Sequence, residues 1–388
     1  MAEMPRWDIF CSVIDNYGDI GVCWRLSCQL ATEYGIPVRL WVDDIASLHR
    51  ICPAIDPGLS IQHWRKVEVR RWIEPFPATV PAEVIIEAFG CTLPAVYVTA
   101  MSQYASSTQA KNPLVWINLE YLSAEPWVER YHRLPSPHPH LPLIKYFFFP
   151  GFTTATGGLI REQNLLMRRT AWQQDFTNFW KQLGLPLPNP TETTISLFCY
   201  DSPPIGNLLD TWAASRTPVR CLLPESKLLT KVTHWSGREK LIPGDAIQRG
   251  NLSLHILPFL SQENYDYLLW ACDCNFVRGE DSFVRAQWAA KPFIWQIYPQ
   301  QSNAHQIKLD AFLDRYCQQL TANAAAILHA FHLGWNHGEP VDWSALWQYQ
   351  ATLQTHAVTW ARQMTEITDL AYNLVQFSKD QTSHTHRT

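Results

Sequence analysis

Two series of short apolar runs, with stretches of helical character between successive members, constrain this chain more than any other feature. WDIFCSVI, VRLWV, VIIEAF, LVWINLE and IKYFFFP make up the first series; TISLFCY, VRCLLP, LSLHILPFL, CDCNFVRG and FIWQIYP make up the second. Rich in β-branched and aromatic residues and bounded by turn formers, each run is too short for a helix and reads as a buried strand. Strands that alternate with helices build a mostly parallel sheet, so the expected class is α/β. GLPLPNPTETT separates the two series and is the clearest linker in the chain. A length of 388 residues likewise favours two domains. We expect one domain over residues 1–165 and a second over 185–355. From Ala304 onward the pattern is helical, with a helix at about 355–377 expected to pack back on the first domain and the polar tail SKDQTSHTHRT, residues 378–388, expected to be disordered. In open α/β sheets ligands bind outside the carboxyl ends of the strands, which is where a site is to be sought.

Hydrophobic residues make up 47% of the chain and charged residues 17%, enough apolar material for genuine cores. No apolar run approaches the roughly 18 residues of a membrane span, and no basic segment leads into an apolar stretch at the start. The ten cysteines are scattered, without paired zinc-like spacing, and read as reduced core thiols. The expected compartment is therefore the cytoplasm, with no membrane partner. A formal net charge of −4 argues against a nucleic-acid partner. The basic stripe HWRKVEVRRW, residues 63–72, reads as a solvated edge strand. HRLPSPHPHLP, residues 132–142, reads as a surface loop whose prolines deny its histidines a metal-binding spacing.

Chemistry concentrates at two strand-to-helix junctions. In VIDNYGDIGVCWRL, Val13 to Leu26, a strand runs into a glycine turn and then an amphipathic helix expected to begin near Ile20. A helix N-terminus is a ready anion site, but here Asp15 and Asp19 stand where a phosphate would be repelled, and a cationic substrate fits the mouth better. The same spacing also fits two caps, Asp15 on the turn and Asp19 on the helix. The second junction, FVRGEDSFVRAQWAAKPFIWQIYPQ, repeats the geometry: Arg278 ends a strand, Glu280 follows, Asp281 or Ser282 can cap a helix, and Tyr298 closes the next strand. Its helix N-terminus suits a diphosphate. Phe198, Tyr200, Phe259 and Gln262 fall after other strands of the same series, placed to stack on a base and bond its edge.

Five strings in this order, IDNYGDIGVCWRL, WINLEYLSAE, GFTTATGGLIRE, FCYD and the Phe276–Gln300 segment, resemble the bacterial protein-arginine rhamnosyltransferases that modify translation elongation factor P, the EarP family. The resemblance runs over nearly the full length. It implies a GT-B glycosyltransferase fold of two facing Rossmann-like domains, the N-terminal one holding the protein acceptor and the C-terminal one the donor dTDP-β-L-rhamnose. It also implies inversion at the anomeric carbon, no metal and no cofactor, and an elongation factor activated to rescue ribosomes stalled at polyproline. By motif position Asp19 matches the general base and Asp15 its partner carboxylate. Glu280 matches a residue needed for activity, and Asp281 and Ser282 match diphosphate contacts. Phe198, Tyr200, Phe259 and Gln262 match positions around nucleotide and sugar, beside which the residue pattern sets Arg278 and Tyr298. A guanidinium with a pKa above about 12 is a poor nucleophile until something takes its proton, which gives paired acids a purpose.

Three rivals carry different sequence expectations. Another GT-B enzyme acting on a small hydroxyl acceptor would need one base rather than two acids. A nicotinamide-dependent oxidoreductase would show G-x-G-x-x-G after a strand, and none is present. A nucleotide-dependent binding protein without catalysis would show no turnover.

Overall fold

The structure is a computed structural model that describes residues 5–15, 17–107, 113–300 and 303–384. It divides into two compact units, residues 1–163 with 366–388, and residues 164–365.

The first unit is built on an eight-stranded sheet. Its strands are β1 (Trp7–Cys11), β2 (Val38–Val42), β3 (Ile61–Trp64), β4 (Val67–Arg71), β5 (Val84–Ala88), β6 (Val115–Leu119), β7 (Pro135–Pro137) and β8 (Ile144–Phe148), in the spatial order β3-β4-β2-β1-β5-β6-β8-β7. The six inner strands are parallel, while β3 and β7 pair antiparallel at the two edges. Each inner strand except β4 lies within the apolar run that predicted it. The basic stripe expected as one edge strand is a hairpin instead, turned by Arg65 and Lys66 at φ 47° and 66°, and only its β3 half lies at the edge. The His/Pro segment contributes β7, where prolines are tolerated because an edge strand leaves one row of N–H groups unused.

One face of this sheet buries Phe10, Trp41, Phe76, Tyr97 and Trp116 in a single aromatic cluster. Beneath it Arg39 forms a two-pronged pair with Asp8, which also accepts from the Tyr97 hydroxyl. The Gly18–Glu33 helix buries Ile20, Leu26 and Leu30. It begins two residues earlier than its period indicates.

The second unit carries β9 (Thr193–Leu197), β10 (Val219–Pro224), β11 (Ala246–Arg249), β12 (Leu252–Leu257), β13 (Cys274–Arg278) and β14 (Phe293–Gln296), ordered β11-β12-β10-β9-β13-β14 and parallel except for β11. Phe283 stacks on Trp295 with centroids 3.8 Å apart, and Phe276 packs edge-on against Trp212 and Trp335. Most of the tryptophans are thus core material, as their lack of period indicates.

The C-terminal region departs from expectation in two places. The single helix foreseen at 355–377 is two helices, Gln350–Thr365 in the second unit and Leu370–His384 in the first. Asp369 caps the restart, accepting from the Tyr372 N–H, while Leu370 N–H bonds Leu159 O. Gly158, at φ +75°, makes room for this connection, since a Cβ there would lie 2.1 Å from Thr368 O. The expected disorder of the tail does not hold for residues 378–384, which continue the last helix. Phe377 anchors them against Tyr146 and Phe148, and extending a helix already nucleated costs little even for polar residues. Residues 385–388 lie outside the described residues.

Candidate active site

Topology places both junctions at comparable points. In the first sheet β1 has β2 on one side and β5 on the other, both parallel to it, so the direction in which the sheet is built outward reverses at β1 and β5. In the second, β9 has β10 on one side and β13 on the other. Such switch points leave a crevice outside the carboxyl ends of the strands. The loops after β1 and β5, and those after β9 and β13, hold most of the residues singled out above.

At the β1/β5 point Asp19 lies in the first turn of the Gly18–Glu33 helix and is 2% exposed. It is not a cap. Tyr17 holds the N-cap position without a side-chain bond, and Asp19 Oδ2 instead accepts from Ile14 N–H and Asp15 N–H, each at 2.9 Å. The carboxylate therefore reaches back along the chain and fixes the loop that carries Asp15. Asp15 is 7% exposed, and its carboxylate lies so close to Gly18 that a Cβ there would sit 2.6 Å from Oδ2. Burial raises the Asp19 pKa above the ordinary carboxylate value; the Asp15 and Ile14 N–H groups and the Tyr121 hydroxyl oppose the rise, and the Asp43 carboxylate adds to it. Tyr121 and Asp43 follow β6 and β2, and no local sequence signal connected either to Asp19.

At the β9/β13 point Arg278 is buried among aromatic rings. Its guanidinium lies 4.3 Å from the Phe198 centroid and 4.8 Å from that of Tyr200, and Nη1 donates to Cys199 O at 3.4 Å. The Phe198 and Tyr200 faces expected to meet a base thus receive a cation, a favourable exchange for a π-face beside a partly desolvated arginine. Tyr298 meets Tyr200 edge-on at 5.7 Å, and Phe198 meets Tyr265 at 5.4 Å. Gln296, overlooked in the sequence and 1% exposed, accepts from Tyr200 N–H at 2.7 Å and donates to Ser202 Oγ at 2.6 Å, setting the whole loop.

Neither Asp281 nor Ser282 caps the Asp281–Ala289 helix, because Glu280 occupies the N-cap and makes no side-chain cap bond. Asp281 and Ser282 fall one and two positions further in than a cap requires. The Ser282 hydroxyl turns back to donate to Arg278 O and accepts from Arg278 N–H at 3.1 Å, locking the strand-to-helix turn. Asp281 Oδ2 accepts from Gln262 Nε2 at 3.0 Å, which ties the start of this helix to that of Gln262–Ala271. Deeper in, Arg285 and Asp266 form a buried two-pronged ion pair between the same two helices. Phe259 is half-buried in the connection after β12. The structure thus sets Phe198 and Tyr200 against the Arg278 guanidinium, with Tyr298 edge-on to Tyr200, and joins Gln262 to Asp281. Among the described residues no three His, Cys, Asp or Glu side chains converge so as to hold a metal ion, and no helix is long and apolar enough to cross a membrane.

Comparison with known proteins extends this description to the chain as a whole. The family model for the elongation factor P (EF-P) rhamnosyltransferase EarP matches residues 7–379. The chain belongs to that family. A protein-arginine rhamnosyltransferase of Pseudomonas putida is 47% identical over 379 residues, covering 96% of this chain and 98% of the relative. One from Neisseria meningitidis is 37% identical, covering 91% and 92%. A chain solved for the structural basis of EarP-mediated arginine glycosylation of translation elongation factor EF-P superposes with a TM-score of 0.66 at 35% identity, covering 97% of this chain and 99% of its own. The spinosyn rhamnosyltransferase SpnG, at 9% identity and a TM-score of 0.50, shares the fold, with coverage of 96% and 99%. As an EarP-family member the chain is a protein-arginine rhamnosyltransferase of the GT-B fold class.

Proposed function

We propose that this enzyme moves L-rhamnose from dTDP-β-L-rhamnose to an arginine of translation elongation factor P in the cytoplasm, with inversion, readying that factor for ribosomes stalled at polyproline. The observation that carries the reading is the buried Asp19 carboxylate, raised in pKa and set beside Asp15 at a sheet switch point, in a chain of the EarP family.

Acceptor chemistry falls to the first unit. Asp15 and Asp19 hold one guanidinium by charge-assisted hydrogen bonds, the geometry carboxylates favour for arginine. As a guanidinium nitrogen attacks the anomeric carbon, Asp19 accepts the proton that nitrogen sheds, and the bond from that carbon to the diphosphate oxygen breaks on the opposite face. A base whose pKa is raised by burial is better matched to this transfer than an exposed aspartate.

Donor chemistry falls to the second unit. The leaving diphosphate gains charge as it departs, and it lies against the N-terminus of the Asp281–Ala289 helix with Arg278 close by, so helix dipole and guanidinium stabilise it. The backbone at Asp281 and Ser282 supplies the contacts, since the Ser282 hydroxyl is engaged with Arg278. Phe259 and Gln262 serve thymine and sugar together with Tyr298, Phe198 and Tyr200, and Glu280 acts at the sugar or the acceptor. No metal takes part in this scheme.

Intact mass of purified elongation factor P, incubated with this enzyme and dTDP-β-L-rhamnose, tests the reading. A gain of one deoxyhexose mapped to an arginine supports it. No gain with dTDP still bound transfers the enzyme to another acceptor or donor sugar, and binding of the factor without turnover reduces it to a binding protein.

A further inference from the structure

Beyond the residues of the sequence motifs, the carboxylate of Asp19 has a partner from another part of the sheet. The Tyr121 hydroxyl, just past β6, donates to it. The bonds that Ile14 and Asp15 N–H donate to this carboxylate belong to the β1-to-helix connection and both fall on Oδ2. They come from the connection that carries Asp15, whereas Tyr121 ties the carboxylate to the segment just past β6.

The Tyr121 ring is itself held. It stacks on Phe89 with centroids 4.7 Å apart and planes 22° from parallel. Phe89 follows β5 at φ 57°, a left-handed conformation uncommon for an aromatic residue, while its N–H bonds Leu119 O at 2.7 Å and so extends the β5–β6 ladder past the strand end. Strained backbone at such a point calls for a role, and here it delivers a ring to the face of Tyr121.

We infer that Tyr121 is a positioning residue for Asp19, holding the carboxylate aimed at the acceptor. This rests on Asp19 being the base, as proposed above. Around Asp19 stand Asp15 on its own loop, Asp43 after β2, Cys11 at the end of β1 with Cys23 hydrogen-bonded to it from the helix, and Tyr121 after β6. Asp43 favours the protonated form of Asp19, whereas Tyr121 favours the ionised one. Losing the hydroxyl therefore raises the Asp19 pKa and frees the carboxylate to rotate.

Tyr121→Phe keeps the stack and removes only the hydroxyl. We expect kcat to fall about tenfold, a part of the roughly 10² to 10⁴ that a well-placed general base supplies, with dTDP affinity and melting temperature unchanged and the acidic limb of the pH–rate profile moved to higher pH. A profile superimposable on wild type, with kcat intact, overturns the inference. The Asp19 carboxyl is also titrated directly by carbon NMR in enzyme labelled at aspartate Cγ, its signal assigned by its absence in Asp19→Asn. A higher pKa in Tyr121→Phe than in wild type supports the role, and an equal one rejects it. This second readout needs no turnover, so a wild-type enzyme inactive on the chosen acceptor would count against the proposed function while the titration still decides on Tyr121. Should Tyr121→Phe fail to fold, 3-fluorotyrosine in its place, a more acidic donor, should lower the Asp19 pKa, and no change there rejects the role.

Discussion

A carboxylate taken out of water is held against its own solvation, and Asp19 is such a group, with burial the largest influence on its raised pKa. Because that pKa is higher folded than unfolded, what the group adds to stability is complete only below the unfolded value of about 4 and is lost as pH rises through the folded value. At neutral pH the ionised side chain works against folding. Asp19→Asn keeps an acceptor oxygen for the Ile14 and Asp15 N–H groups while discarding the charge. We expect its melting temperature at neutral pH to equal or exceed wild type, its transfer rate to fall by about 10² to 10⁴, and its dTDP affinity to hold; scanning calorimetry, turnover and titration calorimetry measure the three. Arg278 makes the complementary case. A planar guanidinium between two rings is not replaced by an ammonium, so Arg278→Lys should weaken dTDP binding about tenfold, or about 1.4 kcal/mol. Unchanged binding in titration calorimetry would take Arg278 out of the donor site.

Among the elements, the last helix best shows how a short connection allocates a segment. Gln29, on the Gly18–Glu33 helix, directs its amide nitrogen at Glu33 at 3.0 Å, at Asp369 at 3.1 Å and at Arg161 O at 2.8 Å. Burial raises the pKa of both acids, and the Asp369 carboxylate adds to the rise at Glu33. By the same linkage their contribution is greatest in acid and declines as pH climbs above about 4. Asp369→Asn retains the cap on the Leu370–His384 helix, asparagine being as good a cap as aspartate. It should raise the thermal midpoint at neutral pH, the advantage shrinking as the pH is lowered, and a midpoint that falls at neutral pH would show the charge to be stabilising. At the other sheet edge, the Arg65–Lys66 turn makes a hairpin of a stretch whose charges alone pointed to one solvated strand.

For the molecule as a whole, the chain passes between its two units twice, at residues 163/164 and 365/366. Each unit has its own sheet and aromatic core, so each can respond separately to a ligand. A ligand at 100 times its Kd stabilises the unit that binds it by about 2.7 kcal/mol. Calorimetry should therefore show dTDP raising the transition of residues 164–365 while that of the first unit stays in place. Equal shifts of both would mean that the units unfold together or share the nucleotide.

The sequence by itself determined the strands of the two apolar series, the two glycine junctions, the acids at each and the family, because strand length, helical period and motif spacing are local properties of the chain. WDIFCSVI predicts β1 without reference to anything else, and Asp15, Asp19 and Asp281 are visible as acids at helix starts. Their actual bonds were not legible: Asp19 clamps a loop, Asp281 takes a bond from Gln262, and Ser282 turns back on Arg278. Only the tertiary structure decided that β1 lies beside β5 and β9 beside β13, and so that these loops meet at switch points. It alone brought Tyr121 to Asp19, put Arg278 on the ring faces reserved for a base, and kept the polar tail helical through Phe377. Each of these is a contact between segments far apart in the chain, and no local pattern records which distant surface will cover a buried charge or an open ring.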